Sequence, residues 1–192
     1  MALYFTTYFN LTSSVSSCPA GQYLNGQACS PCLAGTYSLD GAVTCSICGD
    51  GDYAPNTGSS SCSKCPSGKF LSDNGNLASF HESAAECLSC ESGKYNDQAG
   101  AASCTACAAG RKASGTSSTS CDACVPGRYA SGTYTEECAE CERGTHSSSH
   151  GAVSCTACVS PTTTAGAGAA NCTACVFGHY WDPRITKKQR KE

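Results

Sequence analysis

The chain predicts a small disulfide-rich repeat protein: an elongated array of irregular β-hairpin units with little helix and no conventional hydrophobic core. Three observations carry that prediction. Of the 192 residues, 19 are cysteine, and after a lone Cys18 they fall into nine C-x-x-C doublets. From Cys87 onward each doublet begins 17 residues after the last, and a period that short marks a quasi-one-dimensional array whose units touch only their neighbours. Leu, Ile, Val and Phe make up roughly a ninth of the chain, below the roughly one-fifth under which a polypeptide buries too little apolar surface to fold on that alone. Cross-links must replace the core.

The first element is residues 1–17, read as an apolar strand or arm. Residues 2–11 carry no charge, proline or glycine but include Leu3, Tyr4, Phe5, Tyr8 and Phe9, so an exposed copy would be an aggregation hazard. Residues 18–175 hold the tandem repeats. Residues 176–192 form an open last unit with Phe177, Tyr180 and Trp181, followed by the basic tail Lys187-Lys188-Gln189-Arg190-Lys191.

The repeats share one frame, as in CPAGQYLNGQAC (18–29), CESGKYNDQAGAASC (90–104) and CVPGRYASGTYTEEC (124–138). Glycine recurs three residues after the opening cysteine, which points to a positive φ at the third position of a type II turn. An aromatic follows two residues later, at Tyr23, Tyr37, Tyr53, Phe70, Tyr95 and Tyr129, placed to pack over a cystine. A second glycine, such as Gly58, Gly100, Gly115, Gly132 or Gly151, marks the tip of a hairpin between arms of three or four residues. The units opening at Cys107, Cys141 and Cys158 have Lys112, His146 and Thr163 in the aromatic slot. The unit from Cys65 to Cys87 is longer and admits a single helical turn near residues 81–85. No stretch shows the 3.6-residue apolar period of a longer helix.

Doublets also suit zinc ribbons. Nine doublets, however, cannot be consumed in pairs, and Cys18 opens a well-formed unit without a doublet of its own. In the sequential register the bonds are Cys18–Cys29, Cys32–Cys45, Cys48–Cys62, Cys65–Cys87, Cys90–Cys104, Cys107–Cys121, Cys124–Cys138, Cys141–Cys155 and Cys158–Cys172. Cys175 is then left unpaired or intermolecular. Crossed pairing strands three cysteines, and both it and zinc stay open alternatives. Closing a loop of this size stabilises by about 3 kcal/mol in the chain-entropy model.

The frame C-P-x-G-x-Y…C-x-x-C-x-x-G-x-Y, running from Cys18 to Tyr180, resembles the cysteine-rich repeats of Eph-receptor-like and growth-factor-receptor-like extracellular regions. Its single-disulfide unit is similar to the first module of tumour-necrosis-factor-receptor repeats. The resemblance implies an elongated ladder and leaves function open, because such repeats serve as stalks, ligand-binding rods and coat proteins alike.

Chemistry is sparse. A thioredoxin-type pair needs one motif in a βαβ context, not nine at even spacing. His146 and His150 stand four apart in a serine-rich loop rather than on a helix. No catalytic set, cofactor site or metal site is expected, so the chain reads as no enzyme. A net charge of −3 gives no basic face for nucleic acid, and no run reaches the length of a membrane span. Asn10 and Asn171 fit the N-glycosylation pattern, and Thr162, Thr163, Thr164, Ser117 and Ser118 lie in hydroxyl-rich stretches of the O-glycan kind.

The disulfides place the chain outside the cell or at its surface. The function expected is a stiff structural rod, the subunit of a filament, coat or matrix. Leu3, Tyr4, Phe5, Tyr8 and Phe9 of one copy would dock head-to-tail on Phe177, Tyr180 and Trp181 of the next, with glycans as further partners. The alternative is a ligand-binding or spacer region of a receptor ectodomain, and a zinc-binding intracellular module is the third reading. Ten units rising by short strands give a rod of roughly 100–130 Å. Small-angle scattering should then return about twice the ~16 Å radius of gyration of a compact domain of this size, and ~16 Å would refute the rod. Reductant should abolish the circular dichroism of the fold while chelator leaves it intact, and loss on chelation alone would favour zinc.

Overall fold

A computed structural model describes residues 16–73 and 77–174 of the chain. Nine disulfides close in sequential register, Cys18–Cys29 through Cys158–Cys172. Nine two-stranded sheets accompany them among the described residues. Helix is confined there to two 3₁₀ turns, Ala78–His81 and Ala84–Glu86, both in the long unit. No helix among the described residues is long and apolar enough to cross a membrane. Two compact bodies emerge, one from residues 16–66, 70–88 and 99–103, the other from residues 67–69, 89–98 and 104–174.

The hairpin arms are shorter than expected. Only the first hairpin has four-residue arms, Gln22–Asn25 against Ala28–Pro31. The later arms span two residues, as in Arg128–Tyr129 against Ala139–Glu140. In the later hairpins, from Ser38 to Ser147, the residue after the aromatic slot turns its backbone away from its own hairpin, the N–H to the next unit and the carbonyl to the preceding one. In the first hairpin Leu24 instead bonds the next unit through its N–H, to Ala42 O, and stays paired with Cys29. In the second body Ala113 N–H donates to Thr135 O and Ala113 O accepts from Gly93 N–H; Ala130 repeats this with Ala152 and Gly110.

That residue is also the true interior. Ser38, Ala54, Leu71, Asn96, Ala113, Ala130, Ser147 and Thr164 are all buried, whereas the aromatics Tyr23, Tyr37, Tyr53, Tyr95 and Tyr129 are half-buried. Tyr53 packs on the cluster of Cys65, Leu71 and Cys87, which is the cystine of the adjacent unit. The interior is one side chain thick, which explains why mostly small residues fill it.

Among the described residues six opening cysteines, Cys32, Cys65, Cys90, Cys107, Cys124 and Cys141, each anchor three interactions. In the second body Cys124 is 1% exposed, bonded to Cys138, donates its N–H to Gly110 O at 2.9 Å and accepts from Gly151 N–H at 2.8 Å. In the first body Cys65 does the same with Cys87, Gly51 and Gly100. These bonds satisfy backbone groups that burial would otherwise strand.

The units reach past their nearest neighbours, contrary to the sequence expectation. The Gly110 φ is +80°, in a turn closed by the bond from Arg111 N–H to Ala108 O. A Cβ on Gly110 would lie 2.2 Å from the carbonyl oxygen of Gly151, two units onward. Gly51 meets the Gly100 carbonyl and Gly93 the Tyr134 carbonyl in the same way. The glycine is therefore required twice over, by its dihedral and by the close approach of another backbone.

The hairpin tips also differ from the sequence reading. Gly115 and Gly132 are not the left-handed residues of their units; Ser117 (φ 59°) and Tyr134 (φ 62°) are. The ladder fixes the tip ten residues past the opening cysteine, where Ser117 N–H must reach Cys90 O and Tyr134 N–H must reach Cys107 O. The side chain stationed there bears the strain. Tyr134 offsets part of it by placing its ring under the Lys94 ammonium, 5.7 Å from the centroid.

Units without the aromatic keep the frame. Lys112 instead reaches Glu137 at 2.7 Å. The hydrogen bond from Lys112, with another from Ser114, holds the Glu137 carboxyl below the usual carboxylate range. The stability from this pair is present above that range and lost as pH falls through the lowered value.

Gly110→Ala should lower stability to urea, with disulfides intact, by more than about 2 kcal/mol. Gly144→Ala meets only the dihedral cost, because among the described residues no atom lies within 4 Å of its Cβ position, and should lose about 1 kcal/mol. Ser117→Gly should gain up to about 1 kcal/mol. Equal losses in the two alanine variants would show that the dihedral alone selects glycine.

Candidate interaction surface

In the second body an open groove lies beside the hairpin of Tyr95, lined by chemically distinctive side chains. Its floor is Tyr95, paired directly across its hairpin with Thr105. The buried Asn96 follows and locks the backbone. Its N–H donates to Ser118 O at 3.0 Å, its Nδ2 donates to Lys69 O at 2.7 Å, and its Oδ1 accepts from Gln98 N–H at 3.0 Å. The Ser118 bond draws the tip of the following unit alongside, so that Thr119 and Ser120 form a wall.

Asp97 stands exposed at the rim. Arg111 enters from the next hairpin, where its Nη1 donates to Cys121 O at 2.9 Å. The open groove holds about 500 Å³, within the size range of small-molecule sites. At corresponding steps of the repeat the trio Tyr95, Asp97 and Arg111 becomes Tyr37, Leu39 and Asp52, or Tyr129, Ser131 and Thr145. Only the step at Tyr95 combines a ring, a carboxylate and a guanidinium.

The first body holds a second unusual cluster, under the 3₁₀ turn of the long unit. His81 is fully buried, with Nδ1 2.6 Å from the Asp52 carbonyl oxygen and Nε2 3.0 Å from the Asp73 carboxylate. Its own carbonyl accepts from Ala54 N–H at 2.8 Å, the bond a hairpin tip makes in an ordinary unit. His81 thus anchors the extra residues to the ladder. Sequence reading places it only within a helical turn, since nothing local shows that Asp52 and Asp73 converge on it.

Other residues singled out by the sequence fall as follows. Asn171 is exposed, next to the bonded Cys172. Thr162 and Thr163 are half-buried, and the Thr162 hydroxyl donates to Val159 O. Thr164 is buried and its hydroxyl accepts from Gly144 N–H. Ser117 and Ser118 are half-buried, the latter donating to Gly115 O at 2.9 Å. His146 Nδ1 lies 3.1 Å from both Thr156 O and Cys172 Sγ. Among the described residues His146, Cys158 and Cys172 are the one set close enough to share a metal ion. The two sulfurs are bonded to each other, so this set offers no thiolate. Leu3, Tyr4, Phe5, Tyr8, Phe9, Asn10, Cys175, Phe177, Tyr180 and Trp181 lie outside the described residues.

Comparison with known families agrees with this architecture. The family described as tyrosine-protein kinase ephrin type A/B receptor-like matches three consecutive stretches, residues 35–76, 78–124 and 127–175, well over half of the chain. No individual curated protein matches the chain. The matched family is one of receptor-like cysteine-rich repeats rather than of enzymes. Together with the disulfides it points to an extracellular or cell-surface location. It gives the filament-subunit reading no support and fits the receptor-type alternative better. The chain belongs to the ephrin type A/B receptor-like family of cysteine-rich repeats.

Proposed function

We propose that the chain is a ligand-binding segment of a cell-surface or secreted receptor-type protein, which displays side chains on a disulfide-braced scaffold and performs no catalysis. The observation that carries this reading is the receptor-like family match across three stretches. Two features support it. The backbone ladder uses the cysteines, the glycine and the residue after the aromatic slot, leaving the remaining positions free to vary toward a ligand. One step of the ladder has varied into a groove that combines the Tyr95 ring with a carboxylate and a guanidinium. Rigid display lowers the ordering cost of binding, which suits a scaffold whose stability comes from cross-links.

Membrane-impermeant biotinylation of intact cells that make the protein should label it, and the labelled material should show no fast-reacting thiols beyond Cys175. Labelling only after permeabilisation, or many free thiols in freshly isolated protein, would overturn the proposal.

A further inference from the structure

We infer that the groove over Tyr95 is a carbohydrate site that takes one neutral pyranose ring of a glycan; the inference rests on the receptor-type reading and names its ligand class. A pyranose has one face of C–H groups and a rim of hydroxyls, each both donor and acceptor. The groove offers the complement of both. The Tyr95 ring supplies an apolar platform with a polar tip. Around it stand a carboxylate that only accepts (Asp97), a guanidinium that only donates (Arg111), and hydroxyls of Thr105, Thr119 and Ser120 that do either.

Competing ligand classes fit less well. A phosphate or sulfate cluster needs converging cations, whereas the lining here holds one arginine and one aspartate. A wholly apolar ligand would use the ring and the carbon atoms of the lining but make no use of the Asp97 carboxylate and the Arg111 guanidinium. An extended peptide needs a long unpaired strand edge, whereas the arms here are the two-residue strands Lys94–Tyr95 and Thr105–Ala106.

The site is also built before ligand arrives. Asn96 holds the Tyr95–Asp97 backbone through its three bonds. Arg111 is tied to the Cys121 carbonyl, and Cys121 is cross-linked to the fully buried Cys107. The backbone that carries these side chains is thus already ordered, which favours even a small ligand.

The test uses the full oxidised chain, ¹⁵N-labelled, titrated with methyl β-glucopyranoside, methyl β-galactopyranoside, methyl α-mannopyranoside and methyl N-acetyl-β-glucosaminide. At least one should give saturable shifts confined to the amides of Tyr95, Asp97, Arg111, Thr119 and Ser120, with a dissociation constant of the order of millimolar. Tyr95→Ala should weaken binding at least about tenfold. Should that variant lose its fold, the exposed Asp97→Ala gives the second reading, with a similar loss. Tyr129→Ala, at the same repeat position without the acid and the guanidinium, should leave binding unchanged. No saturable shift with any of the four glycosides overturns the inference, as does binding that survives both Tyr95→Ala and Asp97→Ala. Either failure leaves the receptor reading intact, since that stands on surface labelling of the cell and not on sugar binding by the isolated chain.

Discussion

The structure depends on what happens at each opening cysteine. Its sulfur closes the hairpin of its own unit; at Cys32, Cys65, Cys90, Cys107, Cys124 and Cys141 the N–H also bonds the glycine carbonyl of the preceding unit and the carbonyl accepts from the tip of the following one. The eight opening cysteines from Cys18 to Cys141 are at most 1% exposed. A buried backbone group must find a partner, and a chain this poor in aliphatic residues has few side chains with which to exclude water. The cysteine answers both needs within one residue: the cystine provides the small apolar mass and the main chain provides the ladder. Apolar burial, which drives the folding of most proteins, is here reduced to cystines and a single layer of small residues.

That arrangement separates scaffold from surface. The ladder constrains the cysteines, the glycine three residues on, and the buried residue at the sixth position, as Ala113 and Ala130 show. It does not constrain the aromatic slot, which accepts Lys112 and His146 without loss of the hairpin. Nor does it constrain the position that holds Asp97 in one unit and Ser131 in another. Variation confined to these positions can build a site without disturbing the fold, and the Tyr95 groove is such a case. The long unit makes the same point through its backbone. Its extra residues are absorbed because the Ala78 and His81 carbonyls supply the contacts that a hairpin tip supplies elsewhere.

The architecture is legible in the sequence wherever the cause is local. Cysteine spacing marks the units, and glycine three residues on marks a positive-φ turn. What stays hidden depends on residues far apart in the chain. The close approach of Gly110 to Gly151, 41 residues later, has no signature beyond the glycine itself, so from sequence the units touch only nearest neighbours. Sequence places the tips on Gly115 and Gly132 because glycine is the usual left-handed residue. The ladder moves them to Ser117 and Tyr134, since a bond to a cysteine carbonyl in another unit sets the position. The buried sixth position carries no hydrophobic signal, since Ser38, Asn96 and Thr164 are polar. The groove has no linear signature because Tyr95 and Arg111 belong to different units, joined by backbone bonds such as those from Asn96 N–H to Ser118 O and from Ser117 N–H to Cys90 O.

The central claim is that the opening cysteines, and not the aromatics or an apolar core, hold the ladder, each acting on its own neighbourhood. Native-state hydrogen exchange on the oxidised chain and on a Cys90→Ser/Cys104→Ser variant tests it most directly. In the parent protein the amides of Cys32, Cys65, Cys90, Cys107, Cys124 and Cys141 should be the slowest to exchange, by a factor on the order of a thousand relative to the exposed Gly115 and Gly132. In the variant, protection should fall at Cys90 and Cys107 and persist at Cys32 and Cys141. Cysteine amides that exchange as fast as the loops, or a variant that loses protection evenly along the whole chain, would contradict the account.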